Sequence, residues 1–131
     1  MATIKSFTNL EQSMILADIL PLLSADMCYI NNKAQLGFLY EEYHKFGDTI
    51  LQDYYPCWSQ TALYNILPVV IGNLLEKNAL RLRIDKGETD FNVWYDNLDT
   101  GCAEEGLDVV ESNPVDAYYE MIIKLHEQNL I

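Results

Sequence analysis

Hydrophobic residues near the start of the chain recur at the spacing of a helix. Four of them would share one helical face: Leu10, Met14, Ala17 and Leu20. Thr8 and Glu11 have the residue types and the three-residue separation of a capping box at a helix start. Pro21 disfavours helical geometry at the residue before it. We therefore predict a first helix that is capped by Thr8 and ends near Leu20.

The pattern that precedes the first tryptophan is less decisive. Every second residue from Leu36 to Tyr40 is apolar, as in a strand, although a helical spacing fits nearly as well. We favour short strands across residues 27–46, with Asn31-Asn32 turning the chain. An irregular connection that ends in an aromatic cluster is expected over residues 47–58.

A second helical pattern begins after Ser59, which has the side chain of a helix N-cap. Its apolar positions are Leu63, Ile66, Leu67, Val70 and Leu74. Pro68 lies inside this pattern, where its ring and its missing N–H disturb a helix. We therefore predict one kinked helix that starts at Ser59 and continues to Leu74.

The clearest strand signal is an alternation of apolar and polar residues on both sides of a loop, Gly87–Asp90. Six apolar residues would face one side of this hairpin: Leu80, Leu82, Ile84, Phe91, Val93 and Tyr95. The same register sets Arg81 opposite Asp96 and Arg83 opposite Trp94 on the other side. We predict a salt bridge in the first pair and a cation–π contact in the second.

The last third of the chain predicts a loop followed by a helix. Residues 97–112 are acidic and contain two glycines, so we expect a loop there. Asn113 has the side chain of an N-cap, and Asp116 lies in the first turn, where the helix dipole favours an acid. Glu120 and Lys124 are expected to pair on the solvent side. The apolar stripe consists of Val115, Tyr118, Ile122 and Leu125.

The order helix, short strands, helix, hairpin, helix favours an α+β fold. Helices with one apolar stripe pack against a sheet with one apolar face, and two layers result. We predict about three helices on a small, mostly antiparallel sheet that contains the hairpin of residues 79–96. The chain has 131 residues, a length typical of single domains, so we expect one domain over residues 1–131.

The net charge of −12 is concentrated near the end of the chain. Residues 88–131 contain eleven acids, against Lys124 alone. Such a field repels nucleic acid and anionic membranes and attracts basic surfaces. No signal peptide is recognised, and no apolar stretch reaches the roughly 18–20 residues of a membrane span. We expect a cytoplasmic protein that binds neither nucleic acid nor a membrane directly.

No motif in the chain is typical of a catalytic or metal site. The three cysteines are widely spaced and are expected to be reduced: Cys28, Cys57 and Cys102. His44 and His126 have no second ligand at zinc spacing. Residues 96–101 superficially suggest a calcium loop, but Leu98 occupies a ligand position. We expect no enzymatic activity, no cofactor and no bound metal.

Aromatic residues allow two interpretations. The cluster of Tyr54, Tyr55 and Trp58 either closes the core or forms an interface hot spot, and Trp94 allows the same two interpretations. The alternative to a binding role is a small ligand-binding domain or enzyme. Its pocket would lie near Cys57, Trp58 and His44, because a cysteine and a histidine distant in sequence can meet in a fold.

Three sequence blocks occur together in this chain. They are Phe7–Ser13 with its continuation at Leu20-Pro21 and Ser24–Met27, then Pro56–Ser59, and finally Asn113–Ala117. In these blocks the chain resembles an uncharacterised family of small proteins from gut anaerobic bacteria and from their phages and mobile elements. The resemblance implies a gene of bacterial, phage or mobile-element origin and a cytoplasmic location. It assigns no catalytic residue.

Charge and context together favour a non-enzymatic accessory protein of phage or mobile-element type. Its acidic face would engage a basic surface on a host or phage protein, as an inhibitor or nucleic-acid mimic. The candidate partner-binding residues are Glu88, Asp90, Asp96, Asp99, Glu104, Glu105, Asp108, Glu111, Trp94, Tyr55 and Trp58.

Overall fold

The computed structural model describes residues 5–30, 33–36 and 54–131. These residues form an α+β fold with three α-helices and two antiparallel sheets. The predicted fold class is confirmed, and the described residues contain the three helices that the sequence predicted. The described chain divides into two compact units, an N-terminal unit of Ser6–Leu63 and a C-terminal unit of Lys5 with Tyr64–Ile131. The expectation of a single domain stays a prediction.

The N-terminal unit contains helix α1 and a three-stranded sheet in the order β2-β1-β3. Its elements are α1 (Leu10–Ile19), β1 (Met27–Ile30), β2 (Lys33–Leu36) and β3 (Tyr54–Cys57). Helix α1 packs against β3. The predicted strand character is confirmed for β1 and β2. The turn at Asn31-Asn32 and the predictions for residues 37–53 lie outside the described residues.

Helix α1 begins one residue later than predicted. Its N-cap is Asn9, whose side chain accepts a hydrogen bond from the Gln12 N–H at 2.8 Å. The Gln12 side chain accepts in return from the Asn9 N–H at 3.1 Å. The capping box predicted for Thr8 and Glu11 is therefore shifted by one position, while the helix ends at Ile19, before the proline, as expected.

Thr8 is fully buried and connects helix α1 to the sheet. Its hydroxyl lies 2.7 Å from the Ser13 hydroxyl and accepts from the Trp58 backbone N–H at 3.2 Å. The Thr8 carbonyl accepts from the Tyr29 hydroxyl at 2.7 Å and from the Cys57 thiol at 3.5 Å. Because a buried polar group without a partner is costly, these bonds fix where α1, β1 and β3 meet.

Strand β3 replaces the irregular connection predicted before Ser59. It pairs antiparallel with β1 from Ile30↔Tyr54 to Met27↔Cys57. Pro56 is tolerated because β3 is the last strand of its sheet, so a missing N–H can face away from the ladder. The aromatic run was thus assigned to the wrong local structure.

The C-terminal unit contains a four-stranded antiparallel sheet in sequential order, β4-β5-β6-β7, with a helix on one face. The strands are β4 (Val70–Ile71), β5 (Leu80–Lys86), β6 (Phe91–Asn97) and β7 (Ala103–Glu111). Helix α2 (Gln60–Ile66) precedes them, and helix α3 (Pro114–Glu127) packs against β6 and β7.

Helix α2 is shorter than predicted. Ser59 caps it, since its hydroxyl accepts from the Ala62 N–H at 3.2 Å. The helix ends at Ile66 and does not continue to Leu74. Pro68 excludes helical geometry at the preceding residue more effectively than the apolar spacing favours it. The following residues form β4 and a loop instead.

The predicted hairpin register is confirmed. Arg81 lies opposite Asp96, and Arg83 lies opposite Trp94. The Gly87 N–H donates to the Asp90 carbonyl at 2.8 Å and closes the loop between β5 and β6. The apolar face of β6 is buried, as the alternation indicated: Phe91, Val93 and Tyr95.

Strand β7 replaces the predicted acidic loop at residues 97–112. Leu107 and Val109 are buried two residues apart on the face that α3 covers. Gly106 has a φ of +83°, and the pairing with β6 shifts at this point, as in a β-bulge. The irregularity interrupts the two-residue period that would otherwise have indicated a strand.

Helix α3 begins as predicted. The Asn113 side chain accepts from the Asp116 N–H at 2.9 Å, and Pro114 occupies the first turn. The predicted apolar stripe is buried, together with Ala117 and Met121. The Tyr118 ring meets the Phe91 ring almost at a right angle, with centroids 5.6 Å apart. Helix and sheet therefore share one apolar core.

Replacing Thr8 by valine should destabilise the protein by about 1–3 kcal/mol, because the Ser13 hydroxyl and the Trp58 backbone N–H would each lose a buried hydrogen bond. Urea unfolding measures the change. Thr61→Val is the matched control, since Thr61 is exposed in α2. Equal stability of the two variants would contradict a structural role for the Thr8 hydroxyl.

Candidate partner-binding surface

The predicted acidic residues are distributed over the C-terminal unit. Glu88 and Asp90 lie in the β5–β6 loop, and Asp99 lies in the β6–β7 turn. The other five lie on strands β6 and β7: Asp96, Glu104, Glu105, Asp108 and Glu111. Successive turns of an antiparallel meander lie at opposite ends of the sheet. The acids therefore form two terminal groups joined along β7.

Asp96 is neutralised within the hairpin. The Arg83 Nε lies 3.1 Å from Asp96 Oδ2, and the Trp94 indole N–H donates to Asp96 Oδ1 at 2.8 Å. The predicted ion pair between Arg81 and Asp96 is wrong, although the two residues lie opposite each other. The diagonal neighbour takes this role, because a long arginine side chain reaches two positions along the partner strand. The cation–π contact of Arg83 stays a prediction.

Two acids at the β6–β7 turn support the backbone. The Asp99 carboxylate accepts from the Asn78 N–H. Glu104 accepts from the side-chain amide of Asn97 at 3.2 Å, and the same amide nitrogen lies 3.3 Å from the Asn78 side-chain oxygen. These contacts use neutral donors, so neither carboxylate is paired with a cation in the described part of the chain.

Five of the candidate acids are exposed: Glu88, Asp90, Asp99, Glu105 and Asp108. Within residues 5–30, 33–36 and 54–131, none of the five forms an ion pair. Lys86, the basic residue nearest to Glu88 in sequence, forms no ion pair in the described part of the chain, and Arg83 is paired with Asp96. These carboxylates therefore face solvent with their charge available to another molecule.

Glu111 lies among other acids near the start of α3. A hydrogen bond with Glu120, partial burial, and the charges of Glu120 and Asp116 raise the pKa of Glu111 to about 7, while Lys5 acts in the opposite direction. Lys5 itself lies 2.7 Å from Asp116. The predicted Glu120–Lys124 ion pair is not found among the described residues, and Glu120 interacts with Glu111 instead.

The three aromatic candidates have different environments. Trp58 is fully buried, and its indole N–H donates to the Ser24 hydroxyl at 3.0 Å. Tyr55 is half-buried and packs against the core of the N-terminal unit. Trp94 is half-buried on the face of the sheet opposite α3. These positions favour a core role for Trp58, whereas Tyr55 and Trp94 each keep partly accessible surface.

Cys57, proposed in the alternative hypothesis as part of a pocket, has no exposed surface. Burial raises the pKa of its thiol, and hydrogen bonds from Thr8 and Ser13 act in the opposite direction without cancelling that effect. A nucleophilic cysteine needs access and a stabilised thiolate. His44, its predicted partner, lies outside the described residues.

Leu74, which the sequence pattern assigned to the second helix, and the following Leu75 lie in the loop between β4 and β5. Leu74 is 65% exposed and Leu75 is 94% exposed. Gly72-Asn73, directly before them, is a pair of residue types typical of turns and was the available signal that the helix had ended. The sequence analysis therefore did not identify Leu74 and Leu75 as surface residues.

Other kinds of site find no support in the described part of the chain. No group of three or more His, Cys, Asp or Glu side chains there is arranged to hold a metal ion. No helix among those residues has the length and apolar character needed to cross a membrane. The exposed carboxylates and the exposed leucines are the features from which a function can be argued.

Stability should depend on pH through Glu111. Its pKa of about 7 in the folded protein exceeds the ordinary value of 4.5, so the folded state binds more protons than the unfolded state between these values. The free energy of unfolding should therefore fall as the pH rises through this window. Denaturant unfolding between about pH 5 and pH 8 should show that Glu111→Gln removes this part of the dependence. Glu105→Gln, at an exposed acid, should retain it; parallel curves for both variants would contradict the assignment.

Thiol labelling should separate the cysteines by burial. Cys102 is exposed, whereas Cys28 and Cys57 are buried. A thiol reagent added to the folded protein should modify Cys102 rapidly and the other two only after unfolding, because the thiolate must form and be reached. Mass spectrometry of the labelled peptides identifies the sites. Rapid labelling of Cys57 would instead support the pocket of the alternative hypothesis.

Comparisons with known proteins assign no family to this chain. No family model, no curated protein and no solved structure matches it. The resemblance to proteins of gut anaerobes and their mobile elements therefore stays a prediction. A functional proposal must therefore be argued from the positions of the exposed residues.

Proposed function

We propose that this protein is a non-enzymatic binding protein whose C-terminal unit engages a basic surface of another protein. The observation that supports this most directly is the set of exposed acids without ion pairs among the described residues: Glu88, Asp90, Asp99, Glu105 and Asp108. Opposite charges on two surfaces steer their encounter and accelerate association.

The balance of charge supports a protein partner over nucleic acid. Eleven acids and one lysine lie in residues 88–131, and the ion pairs there use only Asp96 and Asp116. A phosphate backbone would be repelled by this unit. A protein that itself binds phosphates carries the cationic surface that these carboxylates would recognise. Inhibition of such a protein, as a nucleic-acid mimic from a phage or mobile element, is the form of the proposal that we favour.

The sheet sets the size of the partner surface. The loop with Glu88 and the turn with Asp99 lie at opposite ends of the meander, separated by the length of β6. A strand of this kind rises about 3.3 Å per residue, so the two groups lie roughly 20 Å apart. A partner that contacts both must present a cationic surface of at least that length. Asp108 lies between them on β7, opposite Trp94 of β6 and on the same face of the sheet.

Neutralising two exposed acids on β7 should weaken binding. The variant Glu105→Gln with Asp108→Asn removes two charges from this surface, and Glu11→Gln with Asp18→Asn removes two from exposed positions on α1. Wild type and both variants are immobilised through the C-terminus and exposed to a bacterial lysate at low and at high salt. We expect the β7 variant to capture less of any salt-sensitive partner, with a slower association rate for the purified partner, and the α1 variant to behave as wild type.

Two outcomes would contradict the proposal. Capture that is unchanged by salt would show that charge does not drive association. Equal loss in the β7 and α1 variants would show that net charge matters and the position of the acids does not.

A further inference from the structure

The loop between β4 and β5, residues 72–78, presents apolar side chains to solvent. Leu75 is 94% exposed and Leu74 is 65% exposed. Leu98, in the neighbouring β6–β7 turn, is 41% exposed. Single exposed leucines are ordinary on protein surfaces, but three at the same end of a sheet leave more apolar surface in water than a lone one.

Hydrogen bonds hold this loop in place. The Asn73 side chain accepts from the Leu75 N–H at 2.9 Å, and the Asn73 carbonyl accepts from the Glu76 N–H at 2.9 Å. The far end of the loop is joined to the β6–β7 turn, since the Asn78 N–H donates to Asp99 and the Leu98 N–H donates to the Ala79 carbonyl. A loop fixed in this way loses less conformational entropy when a partner binds.

Acidic residues lie at this end of the sheet together with the leucines. Glu76 follows Leu75 directly, Asp99 follows Leu98, and Glu104 is held beside the turn by Asn97. Lys77 is the basic residue of the loop. This end of the sheet therefore combines exposed leucines with acidic residues, and we call it the leucine end: Leu74, Leu75, Glu76, Leu98, Asp99 and Glu104.

We propose that the leucine end docks a basic amphipathic helix of a partner protein, with the leucines against its apolar side and the acids against its lysines and arginines. This inference rests on the proposed function and adds the chemistry of the partner. Amphipathic helices bind to apolar surfaces through residues spaced along one side, and cationic residues beside that side complement an acidic margin.

Two other occupants fit the charge less well. A second copy of this chain would bring together two proteins that each carry a net charge of −12. An anionic membrane would meet the carboxylates of the leucine end at close range and repel them. Charge complementarity thus favours a cationic protein segment over both.

Two synthetic probes test the proposal. The first is an amphipathic helix of leucine and lysine, about 18 residues long. The second has the same lysines with every leucine replaced by serine. Fluorescence anisotropy at one fixed salt concentration gives the dissociation constants for the whole protein. We expect the leucine-containing peptide to bind wild type roughly tenfold or more tightly than the serine-containing one.

Matched variants locate the contact. Leu75→Ser should remove most of the preference for the leucine-containing peptide, roughly tenfold in dissociation constant, while binding of the serine-containing peptide stays unchanged. Leu23→Ser is the control, because Leu23 is 76% exposed in the N-terminal unit. Both positions are exposed, so both variants should fold, and circular dichroism would test whether they do.

The results distinguish this inference from the proposed function. Equal binding of the two peptides to wild type, or no effect of Leu75→Ser, overturns the leucine end while leaving charge-driven binding intact. Binding of neither peptide overturns both. Leu75-dependent dimerisation in sedimentation equilibrium, or Leu75-dependent binding to anionic lipid vesicles, would assign the surface to a second copy or to a membrane and would overturn the helix proposal.

Discussion

The two-residue period of strand β7 determines where the acids of the C-terminal unit can lie. Leu107 and Val109 must face α3 to complete the core, and both are buried there. Because side chains alternate between the two faces of a strand, Asp108, which lies between these residues, is on the opposite face together with Trp94. A solvated loop would have left every carboxylate free to point at one partner. The strand instead places them at fixed positions on a rigid sheet.

That constraint also explains which predictions from sequence succeeded. The hairpin was predictable because alternation and loop length agree on one register, and α3 was predictable because its cap and its apolar stripe agree. Strand β7 was not, because the bulge at Gly106 breaks the alternation before Leu107. Helix α2 was overextended because Pro68 outweighs apolar spacing that merely resembles a helical face. Local signals decided correctly where they were consistent with one another.

The same limit applies to polar residues in the N-terminal unit. Thr8 and Asn9 are both good N-caps, and the sequence alone offers no means of choosing between them. The choice is made by tertiary contacts, since the Thr8 hydroxyl and carbonyl are committed to Ser13, Tyr29 and Trp58. Cys57 contributes to this network as a buried thiol, and its raised pKa follows from that burial. Cys57 was a candidate site residue because it carries a thiol, and its position is better explained by packing.

Charge and apolar surface have different parts in the binding that we propose. Exposed carboxylates such as Glu105 and Asp108 act over distances comparable to the Debye length, about 8–10 Å, and so influence chiefly the rate of association. The side chains of Leu74 and Leu75 act only in contact, and burying them slows dissociation. Acids alone would give a fast and short-lived complex that selects poorly among cationic proteins. The leucine end supplies the selectivity that charge lacks, because a partner must place apolar residues within a cationic surface to use it.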